Sequence, residues 1–113
     1  MFNNCTNLKY LNISDFITNK ATDMSFMFSK CTSLEDLNLT TFDTSSVTTM
    51  SSMFESCEHI KEIDLSSFNT KNCKLFTNMF ANTQNITAMV NSLIGDNMIK
   101  EIEKDVNILI VNE

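Results

Sequence analysis

Four cysteines and one histidine are the residues of this 113-residue chain with the widest chemical repertoire. Cys5, Cys31 and Cys57 recur at a fixed interval (31 − 5 and 57 − 31 are both 26), while Cys73 stands outside that series. Thiols at regular spacing can bridge, ligate a metal or, beside a base, act as nucleophiles. If the interval marks stacked units, the Cα atoms approach the separation at which a disulfide closes, but an in-register ladder points the Cβ vectors the same way, which disfavours bridging. No CxxC pair or second histidine completes a ligand set. Thr83 fills the next position of the series, so sulfur is dispensable there. Buried structural thiols are the favoured reading, and a metal or disulfide the alternative. Cys73 aligns with Ala21 and Val47, a column that suits a small apolar side chain, and is assigned to the core. His59 beside Cys57 invites a general-base role, yet its counterparts are Asn7, Ser33 and Asn85, so an exposed loop residue is the better reading. With no nucleophile, base or metal constellation, the chain is read as a non-enzyme with no catalytic, cofactor-binding or metal-binding residues and no cofactor.

Composition narrows the partners. Asp and Glu outnumber Lys by 14 to 8, a formal charge of −6, and Arg is absent. Phosphate-backbone binding needs clustered cations, so nucleic acid is set aside. No apolar run approaches the 18 or so residues of a membrane span, and no basic-then-apolar signal peptide opens the sequence. Met1 occupies the repeat's own Met position, so the start is expected to fall inside a longer array. Pro is missing and Gly95 is the only glycine, which leaves Asn, Asp, Ser and Thr to build the turns. Four Asn-x-Ser/Thr matches, at Asn4, Asn12, Asn38 and Asn85, are the chance yield of such a composition.

The elements that must position these residues follow from a repeat. Met1, Met27, Met53 and Met79 are each 26 residues apart. Strict spacing of this kind is the mark of a solenoid, in which each unit buries its apolar face on its neighbours. Aligned units give apolar columns: Phe2, Phe28, Phe54, Phe80; Leu8, Leu34, Ile60, Ile86; Leu11, Leu37, Ile63, Met89; Ile13, Leu39, Leu65; Phe16, Phe42, Phe68; Met24, Met50, Phe76. Within a unit, Leu34, Leu37 and Leu39 match LxxLxL, whose last pair alternates as a strand does. Val47, Met50, Met53, Phe54 and Cys57 step by three, three, one and three, which predicts a short helix with Thr18, Thr44 and Thr70 as N-caps in successive units. The methionines lie on the inward side of that segment, so core filling is favoured over an adaptable Met-rich binding surface.

The expected fold is therefore α/β: a leucine-rich-repeat-like solenoid with a parallel sheet on one face, short helices on the other, and a C-terminal cap. Residues 1–90 are the repeat domain, with units starting at 1, 27, 53 and 79; residues 91–113 are the cap. Asn91 falls where Leu65 stood, and beyond it Met98 or Ile99, Ile102 and Val106 share a helical face behind Asp96 as cap, followed by a strand at Ile108 to Val111. A helix from Asn85 to Ile94 stopped by Gly95 is the alternative.

The skeleton MFxxCxxLxxLxLSxFxTxxVTxMSxMF, seen most fully in MFSKCTSLEDLNLTTFDTSSVTTM and MFESCEHIKEIDLSSFNT, resembles the 26-residue repeat of bacterial surface lipoproteins in the BspA-like leucine-rich repeat group. The resemblance runs from Met1 to about Met89, with Ile17 and Thr83 as departures. It implies cell-surface or secreted localisation, adhesion or host-protein binding, and no catalytic residues.

The outward positions of the predicted sheet form the candidate ligand-binding face: Lys9, Glu35, Lys61; Tyr10, Asp36, Glu62; Asn12, Asn38, Asp64. The bland reading is a solvated face with Lys9 and Lys61 flanking Glu35 as cross-strand opposite charges. The functional reading is a non-enzymatic protein-binding or adhesion module, with a host matrix protein among the candidate ligands; the alternative is a passive spacer displaying another domain. The uncapped first unit also leaves room for self-association, end to end or through edge strands.

Overall fold

A computed structural model describes residues 2–111; Met1 and the last two residues of the expected cap lie outside the described residues. The strands are β1 (Tyr10–Leu11), β2 (Asp36–Leu37), β3 (Glu62–Asp64), β4 (Thr87–Val90) and β5 (Asn107–Ile110), all parallel to their neighbours. They form two small sheets, β1–β2 and β3–β4–β5, with one α-helix, α1 (Asp96–Ile102), preceded by a 3₁₀ turn at Ser92–Ile94. The fold is thus α/β with short parallel strands. The first three strands begin where LxxLxL alternates: Asp36 is exposed and Leu37 buried, Glu62 exposed and Ile63 buried.

The expected helices on the opposite side do not form; among the described residues the only α-helix is α1. Phe26 and Lys30, Ser52 and Ser56, and Asn78 and Asn82 all adopt φ between 58° and 62°. A left-handed residue at every fourth position cannot belong to a right-handed helix. The backbone instead bonds from one unit to the next. Met24 N–H donates to Thr49 O at 2.9 Å, Phe26 N–H to Ser51 O at 3.0 Å and Phe28 N–H to Met53 O at 2.9 Å. One unit later, Met50, Ser52 and Phe54 donate to Leu75, Thr77 and Met79 at 2.7, 3.0 and 2.9 Å. Isolated parallel bridges Asp23↔Thr49↔Leu75 run along this side. The helical-looking spacing from Val47 to Cys57 comes from consecutive tight turns that drive the same side chains inward.

The threonines predicted as N-caps do different work. Thr18 Oγ1 donates to Asp43 O at 3.1 Å and accepts from Asp43 N–H at 2.8 Å; Thr44 makes the same pair with Asn69, at 2.9 Å each, and Thr70 donates to Ile94 O. Each hydroxyl spans two units rather than capping its own. Turn closure falls to Asx side chains: Asp43 Oδ1 accepts from Ser45 N–H at 3.0 Å and Asn69 Oδ1 from Lys71 N–H at 3.1 Å. The hydroxyl and then the backbone N–H of Ser45 hold the Asp43 carboxyl below the usual carboxylate range, and Ser25 does the same for Asp23.

The fourth unit is shorter by one residue. Ile60 and Ile86, 26 apart, are both buried, but Ile63 pairs with Ala88, only 25 away. A strand's side chains alternate, so this shift turns Met89 from the core and puts Ala88 and Val90 in it. The Leu11, Leu37, Ile63 column therefore continues to Ala88, not Met89, and Val90, not Asn91, follows Leu65. The alternative helix from Asn85 to Ile94 is excluded, since β4 and the 3₁₀ turn occupy that stretch. In the cap, Met98 and Ile102 of α1 are buried as expected, while the N-cap is Gly95 at φ 82° and Asp96 is the first helical residue. Asn107 to Ile110 pair in register with Thr87 to Val90 and cover the last edge.

The core is a single set of ladders. Phe2, Phe28, Phe54 and Phe80 stack with centroid separations of 5.7, 5.6 and 4.9 Å and interplanar angles of 1°, 9° and 14°. The central columns are fully buried, whereas Phe2, Leu8, Leu11 and Phe16 of the first unit are only partly covered.

Candidate functional site

The strands fix the candidate face through backbone register. Tyr10 lies opposite Asp36, Glu35 N–H donates to Lys9 O at 2.9 Å, and Thr87 N–H donates to Lys61 O at 2.9 Å. Lys9, Tyr10, Asn12, Glu35, Asp36, Asn38, Lys61 and Glu62 are exposed and Asp64 half-buried. Tyr10 keeps 66% of its surface in solvent beside a shallow depression formed with Leu11, Asn12, Asp36 and Asn38.

The nine positions divide by role. Asn12 Oδ1 accepts from Ser14 N–H at 3.1 Å, Asn38 Oδ1 from Thr40 N–H at 2.9 Å and Asp64 Oδ1 from Ser66 N–H at 2.9 Å. Those side chains close the turn after each strand, so the third column is structural. Lys9, Glu35 and Lys61 do not form ion pairs: the one salt bridge among the described residues joins Lys104 Nζ to Glu101 Oε1 at 3.1 Å. Lys9, Tyr10, Glu35, Asp36, Lys61 and Glu62 therefore remain unengaged by neighbouring side chains, the arrangement a solvated or ligand-binding face requires.

All four cysteines are free, and no cluster of three or more His, Cys, Asp or Glu capable of holding a metal occurs among the described residues. Cys31 Sγ donates to Phe2 O at 2.9 Å and Cys57 Sγ to Phe28 O at 3.1 Å, each thiol satisfied by the preceding unit. Both are fully buried, Cys5 and Cys73 only partly so. Burial, with a smaller contribution from Cys31, pushes the Cys57 thiol up to about 12. His59 is exposed and its Nδ1 lies 2.6 Å from Thr32 O, a contact that ties it to the neighbouring unit's loop.

Residues 1–105 match a family model described as a Mycoplasma protein of unknown function, DUF285. The chain belongs to this family. Comparisons with curated proteins and with solved structures give no match.

In this DUF285 chain the thiols serve as a gauge of packing. Cys31 and Cys57 are expected to resist a thiol reagent in native buffer and to react fully on denaturation, with no change in stability on adding reductant. Because the folded Cys57 thiol titrates above its ordinary value of 9.0, the folded state holds the proton longer, so its contribution is present below pH 9.0 and is lost as pH rises toward about 12. Fast native labelling at neutral pH would contradict the buried assignment.

A second concavity of the DUF285 chain lies beside residues 73–76 and α1, with Lys74, Lys100 and Lys104 in its lining. Lys74 and Lys100 are 26 residues apart, but Thr22 and Thr48 hold the same position in the earlier units and Lys104 lies outside the column, so the repeat carries no signal for a cationic groove here.

Proposed function

We propose that this DUF285 chain is a non-enzymatic protein-binding or adhesion module of a bacterial cell-surface or secreted protein, its units stacked as a leucine-rich-repeat-like solenoid of the BspA-like kind. The cross-unit hydrogen bonds, offset by 25 residues in each of the first three units, support the solenoid. The mention of Mycoplasma in the family's description supports a bacterial setting. Among the described residues no helix is long and apolar enough to cross a membrane.

The observation that carries the binding reading is the exposed, unpaired set on the strand side, with Tyr10 as its one large amphipathic side chain. An aromatic ring with a polar tip supplies contact area at little entropic cost. Strands of two to four residues make this face small: a few strands about 4.8 Å apart and about 3.3 Å per residue present roughly 300 Å² or less, against the roughly 800 Å² per partner of a stable interface. Useful affinity then comes from several copies acting together through effective concentration.

The test measures binding to immobilised host matrix proteins by a tethered dimer of the chain and by the same dimer carrying Tyr10→Ala, Asp36→Ala and Glu62→Ala together. Loss of binding in the triple variant, with an unchanged melting curve, is the expected result. Equal binding by both would place the binding surface away from the strand face, and binding by neither would favour a passive spacer.

A further inference from the structure

Along the non-strand side, alternate backbone N–H groups, those of Met24, Phe26 and Phe28 and then of Met50, Ser52 and Phe54, donate to the next unit, and at the end of the third unit that row meets α1 instead. Met24 N–H finds Thr49 O and Met50 N–H finds Leu75 O; the next donor of the series, Phe76 N–H, has no acceptor among the described residues. Two residues on, the series Phe26 to Ser51 and Ser52 to Thr77 continues with Asn78 N–H, which donates at 3.0 Å to Glu101 Oε2 of α1. A carboxylate has taken the place of a backbone carbonyl. Around this end of the row, Lys74 and Lys100 line the groove over the half-buried ring of Phe76, neither paired with a carboxylate among the described residues, while Lys104 shares Glu101. In a chain of net charge −6, three of the eight lysines face this one groove with a single acidic residue among its lining.

We propose that this groove binds an acidic extended segment of a partner protein, one carboxylate accepting from Phe76 N–H between the Lys74 and Lys100 ammonium groups. Glu101 on Asn78 N–H is the internal precedent for that bond. A carboxylate there gains a charge-assisted hydrogen bond and two neighbouring cations. The overall negative charge slows encounter, but at physiological salt the Debye length of about 8 Å confines that repulsion, and the nearby lysines dominate at contact. The surface is separate from the strand face, so either assignment can fail without the other.

The experiment titrates the 113-residue chain with an N-acetylated, C-amidated hexaglutamate peptide, followed by backbone amide shifts and amide exchange. Shifts at Phe76, Lys74 and Lys100, slower exchange of Phe76 N–H, and binding roughly tenfold weaker in Lys74→Glu/Lys100→Glu are expected. Lys9→Glu/Lys61→Glu on the strand side should bind as the parent does. Shifts outside the groove, equal weakening by both charge reversals, or equal effects of a hexaglutamine peptide would overturn the proposal. Saturation by free glutarate at the same carboxylate concentration would likewise overturn it in favour of a small-acid site. An unchanged amide spectrum away from the groove establishes that the reversed variant is folded.

Discussion

Replacing Phe54 with alanine is expected to destabilise the chain by about 3–5 kcal/mol, the range for removing a buried aromatic ring. Phe54 has no exposed surface and stacks between Phe28 and Phe80, at 5.6 and 4.9 Å. Truncation therefore removes both stacks and opens a cavity in the middle of a column, where backbone held by hydrogen bonds on both sides cannot collapse inward. Against a total stability of roughly 5–15 kcal/mol for a domain of this size, such a loss brings unfolding close to ambient conditions. Phe2, at the end of the same ladder, is partly solvated and stacks on only one column neighbour, so Phe2→Ala should cost at most about half as much. Chemical denaturation with both variants checks the contrast, and equal losses would show that the column is not a continuous ladder.

The contrast also marks what periodicity can convey. A 26-residue repeat of apolar side chains records which residues face inward, and the central columns from Phe28 to Phe68 are buried as that pattern requires. It does not record backbone conformation, because a chain of tight turns and a short helix can both return apolar side chains to one face after three residues. What distinguishes them is φ at Lys30, Ser52 and Ser56, and none of these residues announces a left-handed conformation as glycine would. A shift of one residue is equally silent in the fourth unit, where Ile86 keeps the spacing and only the pairing of Ile63 with Ala88 reveals the loss. On the strand side, sequence alternation locates the exposed positions, but not that Asn12, Asn38 and Asp64 turn back onto the backbone two residues ahead. The groove at Phe76 depends on where the row of inter-unit donors ends, which no single unit's sequence carries.

Thr44→Val should cost about 2–3 kcal/mol, although it keeps the size and β-branched shape of the side chain. Thr44 is 1% exposed, and its hydroxyl both donates to Asn69 O and accepts from Asn69 N–H, at 2.9 Å each. Valine would face both of those backbone groups with a methyl, and a donor or acceptor left without a partner at a sheltered site costs about 1–3 kcal/mol. Thr48→Val is the matched control: the Thr48 hydroxyl donates to Thr22 O at 3.1 Å, but the residue is exposed and water can replace the bond, so its loss should stay below about 0.5 kcal/mol. A third substitution separates the inter-unit role from helix capping. An N-cap threonine is replaced by aspartate without loss, because a carboxylate oxygen accepts from the same free N–H groups. At position 44 a carboxylate can accept from Asn69 N–H but has no proton for Asn69 O, and it would bring a charge into a sheltered site against that carbonyl. Thr44→Asp is therefore expected to be more destabilising than Thr44→Val at neutral pH and to recover partly in acid, where the protonated carboxyl can again donate. Denaturant titrations at neutral pH and near pH 4, roughly the ordinary carboxyl pKa, measure both effects. Tolerance of the Thr44→Asp substitution at neutral pH would return Thr44 to a cap within its own unit.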